Sequence, residues 1–162
     1  MLESILIVDD IPENLSLLHE SLDQAGYQVL VATNGFDAIE IAHRIQPDMI
    51  LLDGSMPEMD GFETCTQLKA SPVTEHIPVI FMTGLTETEH ILKGFQAGGV
   101  DYVTKPLNID EVRARVKTHL LQARLMHQQR QMLDATGSAI LSLNLEGEII
   151  WQTPIVSELL KN

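Results

Sequence analysis

Two periods of apolar residues alternate along the chain. Short aliphatic, β-branched runs fall at 4–8, 27–31, 49–52, 79–82 and 100–103, and a longer stretch of helical spacing follows each, at 12–25, 36–44, 61–71, 86–97 and 109–135. In the first helical stretch Leu15, Leu18, Leu22 and Ala25 recur at intervals of three and four as one apolar stripe, and Gly26 stands where a helix would stop. The strands show no such gaps. Ile5-Leu6-Ile7-Val8 and Met49-Ile50-Leu51-Leu52 are apolar throughout, so both of their faces must be covered. Five βα units of this kind predict an α/β fold, a doubly wound five-stranded parallel sheet with helices on either side. Right-handed crossovers then bring the carboxyl ends of all five strands to one edge, where open sheets bind ligands.

The pattern changes after residue 107. Residues 109–135 contain neither Gly nor Pro, which predicts an extended C-terminal helix of ~40 Å, about twice what a fifth covering helix needs. Val112, Val116 and Leu120 are spaced to pack on the sheet. Ala114, Thr118, Leu121, Leu125, Gln128, Met132 and Ala135 recur at four and three as a thin heptad seam. Gly137 should end the helix, 139–144 and 148–153 read as strands around a turn at Gly147, and 154–160 as a further helix. A lone hairpin is marginally stable. The expected organisation is therefore a first domain at 1–122, a linker helix at 123–136, and at 137–162 the opening of another domain in a longer protein.

Hydrophobic residues at 44% and charged residues at 20% place the chain among folded proteins despite a net charge of −13. No apolar run approaches a membrane span, the N-terminus lacks the features of a signal peptide, and the single Cys65 excludes an internal disulfide and a cysteine-based zinc site. These features predict a cytoplasmic protein without membrane contact. The charge is uneven. Residues 1–105 hold 17 Asp/Glu against 4 Lys/Arg, whereas 106–162 hold 6 of each. So acidic a module repels nucleic-acid phosphates, which excludes direct nucleic-acid binding by this region, but dense carboxylate can hold a divalent cation.

The positions of a few charges sharpen this. Asp9-Asp10 follows the first strand, Asp53 the third, Thr83 the fourth and Lys105-Pro106 the fifth, all at one sheet edge. Three crowded carboxylates suit a hard cation, Mg²⁺ above others. With it, a carboxylate can attack phosphorus, an ammonium can neutralise phosphoryl oxygens and a hydroxyl can hydrogen-bond one of them. Taken singly, Asp10 could cap a helix, Asp53 could open a loop, and Thr83 and Lys105 could be ordinary surface groups. Jointly those readings are hard to sustain.

Ile7-Val8-Asp9-Asp10, Leu51-Leu52-Asp53, Met56-Pro57-Glu58-Met59-Asp60-Gly61, Phe81-Met82-Thr83-Gly84 and Asp101-Tyr102-Val103-Thr104-Lys105-Pro106 resemble a two-component response-regulator receiver domain, in order and spacing, over about residues 3–122. The resemblance implies flavodoxin-like strand order 2-1-3-4-5. It implies that Asp53 accepts a phosphoryl group from the phosphohistidine of a sensor histidine kinase or phosphotransfer protein. Mg²⁺ would be bound by Asp10 directly, by Asp9 mainly through water, and by Asp53 and the main-chain carbonyl of Ser55. Thr83 and Lys105 would contact the phosphoryl group, and Thr83 with Tyr102 would form the switch. Gly54 and Ser55 depart from the bulkier residues often found after the acceptor, which bears on the phosphoryl lifetime. The resemblance further implies a homodimer through helix 4, strand 5 and helix 5, with Lys93, Asp101, Glu111 and Arg115 as intermolecular ion pairs and the extended helix as a seam.

Such a module catalyses its own phosphotransfer and dephosphorylation without turning over a substrate. A Mg²⁺-dependent phosphatase with an aspartyl nucleophile would need an insert to cap the edge and exclude water, and the sequence offers none. An interaction module that is never phosphorylated would not need the full set of Asp9, Asp10, Asp53, Thr83 and Lys105. The six histidines share no metal-ligand spacing and read as surface residues, and Cys65 reads as an apolar filler. Residues 138–150 and 158–160 resemble the opening of a PAS-like sensory domain, with a transcriptional, kinase or cyclic-nucleotide output equally open.

Overall fold

A computed structural model describes residues 2–84, 88–135, 141–143, 145 and 149–152. The strands are β1 (Ser4–Val8), β2 (Gln28–Ala32), β3 (Met49–Asp53), β4 (Val79–Gly84) and β5 (Asp101–Lys105), and the helices α1 (Pro12–Gln24), α2 (Gly35–Ile45), α3 (Gly61–Lys69), α4 (Thr88–Gln96) and α5 (Ile109–Ala135). All five strands are parallel, in the order β2-β1-β3-β4-β5. The doubly wound sheet expected from the apolar runs is what forms. The chain divides into two compact units, Met1–Leu120 and Leu121–Asn162.

Alternation along the central strands sends side chains into two separate cores. Leu6, Val8, Ile50 and Leu52 pack with Ala38 and Ala42 of α2 and Cys65 and Leu68 of α3. Ile5, Ile7, Met49 and Leu51 pack with Leu15, Leu18 and Leu22 of α1 and Val112, Val116 and Leu120 of α5. Each fully buried aliphatic side chain contributes about 1.5–3 kcal/mol, and the whole of β1 from Ile5 is buried. The edge strands β2 and β5 are only partly covered.

Strand limits differ from the apolar runs where hydrogen bonding overrides hydropathy. Tyr27 donates its amide to Leu22 O at 3.1 Å, closing the end of α1, so β2 starts one residue later than the sequence suggests. At the other end, polar residues join the ladder. Asp53 pairs with Met82, Thr83 with Thr104 and Gly84 with Lys105, which makes these groups strand residues rather than loop residues.

Along α5 the stripe Val112, Val116, Leu120 is buried as expected, while Leu121, Leu125 and Met132 of the heptad seam are exposed. In the second unit β6 (Leu141–Leu143) and β7 (Ile149–Gln152) form an antiparallel pair. The helix stop at Gly137 and the helix expected at 154–160 lie outside the described residues. Among the described residues no helix is long and apolar enough to cross a membrane.

Candidate functional site

The carboxyl ends of β1, β3 and β5 converge on one acidic centre. Asp9, fully buried, has both oxygens committed: Oδ1 accepts the Ile11 amide at 2.9 Å, and Oδ2 accepts Asn14 Nδ2 at 3.1 Å and Lys105 Nζ at 3.2 Å. Asp53, the last residue of β3, is 2% exposed. Its Oδ1 accepts the Ser55 amide at 3.2 Å and lies 3.2 Å from Lys105 Nζ. Among the described residues its Oδ2 has no hydrogen-bonding partner. Asp10 is more open than either. One oxygen from each of Asp9, Asp10 and Asp53 lies within 4.8 Å of the other two.

The electrostatics follow from this crowding. Burial, with Asp9 adding to it, pushes the Asp53 carboxyl up to about 6, against the opposing pull of the Ser55 amide and Lys105. For Lys105, burial works against the charge, but Asp53 and Asp9 outweigh it and hold the ammonium above its ordinary range. One ammonium thus serves two buried carboxylates with a third beside them. That excess of negative charge on oxygen donors fits a divalent hard cation.

Thr83 is 5% exposed and sits one residue beyond Met82, the register partner of Asp53. Tyr102 is not part of the carboxylate cluster. It packs edge-on against Phe95 of α4, with ring centroids 6.2 Å apart, and shares with Thr83 a tight crevice against α4. Ser55 contributes its amide to Asp53. Asn14 was not legible as a site residue. Its one signal was its position in the first turn of α1, just after the Asp9-Asp10 pair.

Gly61 braces the end of β3 from behind. Its amide donates to Gly54 O at 3.1 Å, and a β-carbon there would overlap the carbonyl oxygen of Asp53. Gly61→Ala must therefore displace either α3 or the end of β3. It is expected to cost about 1–3 kcal/mol in denaturant unfolding.

The family described as Response regulator receiver domain matches residues 5–117. The chain belongs to this family. It is 40% identical over 120 residues to the sporulation initiation phosphotransferase F of Bacillus subtilis, covering 74% of this chain and 95% of that protein. It is 46% identical over 121 residues to a probable cyclic di-GMP phosphodiesterase of Vibrio cholerae, covering 75% of this chain but only 27% of that protein. The chain spans 61% and 29% of two other curated relatives. Among solved structures, the receiver domain of the sensor histidine kinase PA1611 from Pseudomonas aeruginosa, with magnesium in its active-site cleft, superposes with a TM-score of 0.69 at 28% identity, covering 74% of this chain and 98% of that one. The acidic cluster of this receiver domain is compatible with the same ion.

The residues named for pairing between chains also form a cluster within this one. Asp101, Glu111 and Arg115, expected to form pairs between two chains, bond to one another within this one. Arg115 Nη1 reaches both Asp101 oxygens at 2.9 and 3.0 Å, Arg115 Nε reaches Glu111 at 3.1 Å, and His119 Nε2 lies 2.9 Å from Asp101. The cause is helical spacing: residues 111, 115 and 119 lie on one face of α5, above the start of β5. Burial opposes ionisation of Asp101, but His119, the Tyr102 amide and Arg115 together hold its carboxyl below the ordinary range. Lys93 is also placed within the chain, with Nζ 5.1 Å from the Phe62 ring centroid.

Proposed function

We propose that Asp53 is the phosphoacceptor of this receiver domain and takes the group from the phosphohistidine of a sensor histidine kinase or phosphotransfer protein in the cytoplasm. The observation that carries this reading is the free Oδ2 of a buried, unusually basic carboxylate whose other oxygen is fixed by Ser55 and Lys105. Oδ2 forms the bond to phosphorus, and the P–N bond breaks with its electron pair returning to the imidazole. Lys105 neutralises one phosphoryl oxygen and the Thr83 hydroxyl donates to another. Asp9, Asp10, Asp53 and the main-chain carbonyl of Ser55 are the residues to hold Mg²⁺, which when bound supplies further neutralisation of the phosphoryl oxygens.

The acyl phosphate adds roughly −1.5 to −2 charge at the sheet edge. That charge draws Thr83 and Lys105 toward it, and the crevice shared by Thr83 and Tyr102 lets Tyr102 repack against α4 and β5. The signal then passes along 123–136 to 137–162, the start of a PAS-like domain in this reading. Beryllofluoride with Mg²⁺ is expected to shift backbone NMR signals through α4 and β5 as well as at the site, and EDTA is expected to abolish labelling by a phosphodonor. Shifts confined to residues 9–11 and 53–60, or labelling indifferent to EDTA, would refute the reading.

The exposed Leu121, Leu125 and Met132 support a parallel homodimer along α5, joined with the α4–β5–α5 face. With Asp101, Glu111 and Arg115 already paired internally, the apolar seam carries more of this association than the ion pairs. Leu125→Asp is expected to weaken the dimer in sedimentation at least tenfold while leaving Asp53 labelling intact. A wild-type protein that stays monomeric at high micromolar concentration, with and without beryllofluoride, would exclude the arrangement.

A further inference from the structure

A groove of about 140 Å³ runs beside the acceptor, with Gly54, Ser55, Thr83 and Gly84 along it and Lys93 of α4 at its wall. Gly54 and Gly84 leave it without side chains there, and a β-carbon at Gly54 would stand 3.2 Å from the Phe62 ring. Phe62 is 7% exposed and stacked on Phe81 at 5.1 Å, so it is a fixed platform. Lys93 Nζ rests over that ring, 5.1 Å from its centroid. Within the acidic stretch 1–105, Arg44 faces Glu40, Lys69 donates to the Glu75 and Ile77 carbonyls, and Lys105 is held by Asp9 and Asp53. Lys93 is the remaining cation, and among the described residues no ion pair joins it to a carboxylate. Of the other lining groups, Asp60 is committed to capping α3 through the Glu63 amide at 2.8 Å, and His90 lies against Phe62 at 5.8 Å.

A groove this small falls well below the volume of a drug-sized pocket but admits a molecule of a few heavy atoms. Lys93 gives one wall of it a positive charge, set apart from the capping Asp60 carboxylate and from the acidic field of the domain. We infer that Lys93 makes the groove the seat of the leaving end of a small acyl phosphate, so that the domain favours a doubly charged donor of this class over a less charged phosphoramidate. The inference rests on the reading of Asp53 as acceptor. The Asp53 oxygen forms the bond to phosphorus, the bond from phosphorus to the bridging oxygen breaks, and the electron pair leaves on the carboxylate without need of a proton. With phosphoramidate the P–N bond breaks and the already protonated nitrogen leaves as ammonia. Only the first leaving group carries the negative charge that Lys93 can hold, anchored as that lysine is by its contact with the ring.

The test compares Asp53 phosphorylation by acetyl phosphate and by phosphoramidate, each over a range of concentrations at low salt, in the wild type, Lys93→Met and Lys93→Arg. Lys93→Met keeps the apolar stem on Phe62 and removes the charge. It is expected to raise the half-saturating acetyl phosphate concentration about fivefold and to lower the acetyl phosphate to phosphoramidate rate ratio by the same factor, with Lys93→Arg restoring both. An equal ratio in all three proteins, or losses shared by both donors, would mark Lys93 as a packing residue and overturn the inference. Wild-type protein labelled by neither donor would overturn the acceptor reading, and this inference with it.

Discussion

Asp53→Asn is expected to lower phosphoryl uptake at least about a thousandfold, measured as hydroxylamine-labile phosphate on the protein. Three carboxylates stand together, and hydrogen bonding separates their roles. Both oxygens of Asp9 already accept hydrogen bonds, from Ile11 on one and from Asn14 and Lys105 on the other. Asp10 lacks the neighbouring ammonium that Lys105 offers the other two. Asp53 combines that ammonium with an oxygen left open among the described residues, and burial lifts its carboxyl to about 6 while leaving it mostly ionised at pH 7. Undiminished labelling of the Asn variant would move the acceptor to Asp9 or Asp10 and dismantle the assignment.

A second large effect concerns stability without metal. The Asp53 carboxyl lies at about 6 in the folded chain against an ordinary 3.8, so between these values the native state binds more protons than the unfolded one. Stability is then greatest below pH 4 as far as this group is concerned, falls as pH rises through 6, and is lower by roughly 3 kcal/mol at pH 7. Asp53→Asn is expected to recover most of that at pH 7 in EDTA and almost none at pH 4, by urea unfolding. Mg²⁺ should stabilise the wild type above pH 6 far more than the Asn variant. An Asn variant no more stable than wild type at pH 7 would mean that the folded carboxyl is not destabilised by its surroundings.

Much of this was written in the sequence, because apolar runs on both-faced strands and three-four stripes on helices leave few ways to pack. Ile5–Val8 and Met49–Leu52 had to be central, and the Val112, Val116, Leu120 stripe had to meet the sheet. The placement of the candidate site was legible for the same reason: parallel topology sends Asp9, Asp53, Thr83 and Lys105 to one edge. Side-chain hydrogen bonding was not legible. Nothing in the order of residues tells that Asn14 occupies Asp9, that Asp53 keeps one oxygen open, or that Arg115 and His119 both meet Asp101. Those outcomes depend on ångström-scale registration between segments up to 96 residues apart.

The uninterrupted α5 also sets a phase. With neither Gly nor Pro from Ile109 to Ala135, the helix has no built-in swivel, and each residue advances the azimuth by about 100°. Lengthening the helix by a single residue would turn every residue beyond the insertion by more than a quarter turn about its axis. Insertions of seven residues come back to within about 20° of the starting direction. Spacers in this helix should therefore be tolerated in steps of seven and resisted in between, as teeth on a gear would be.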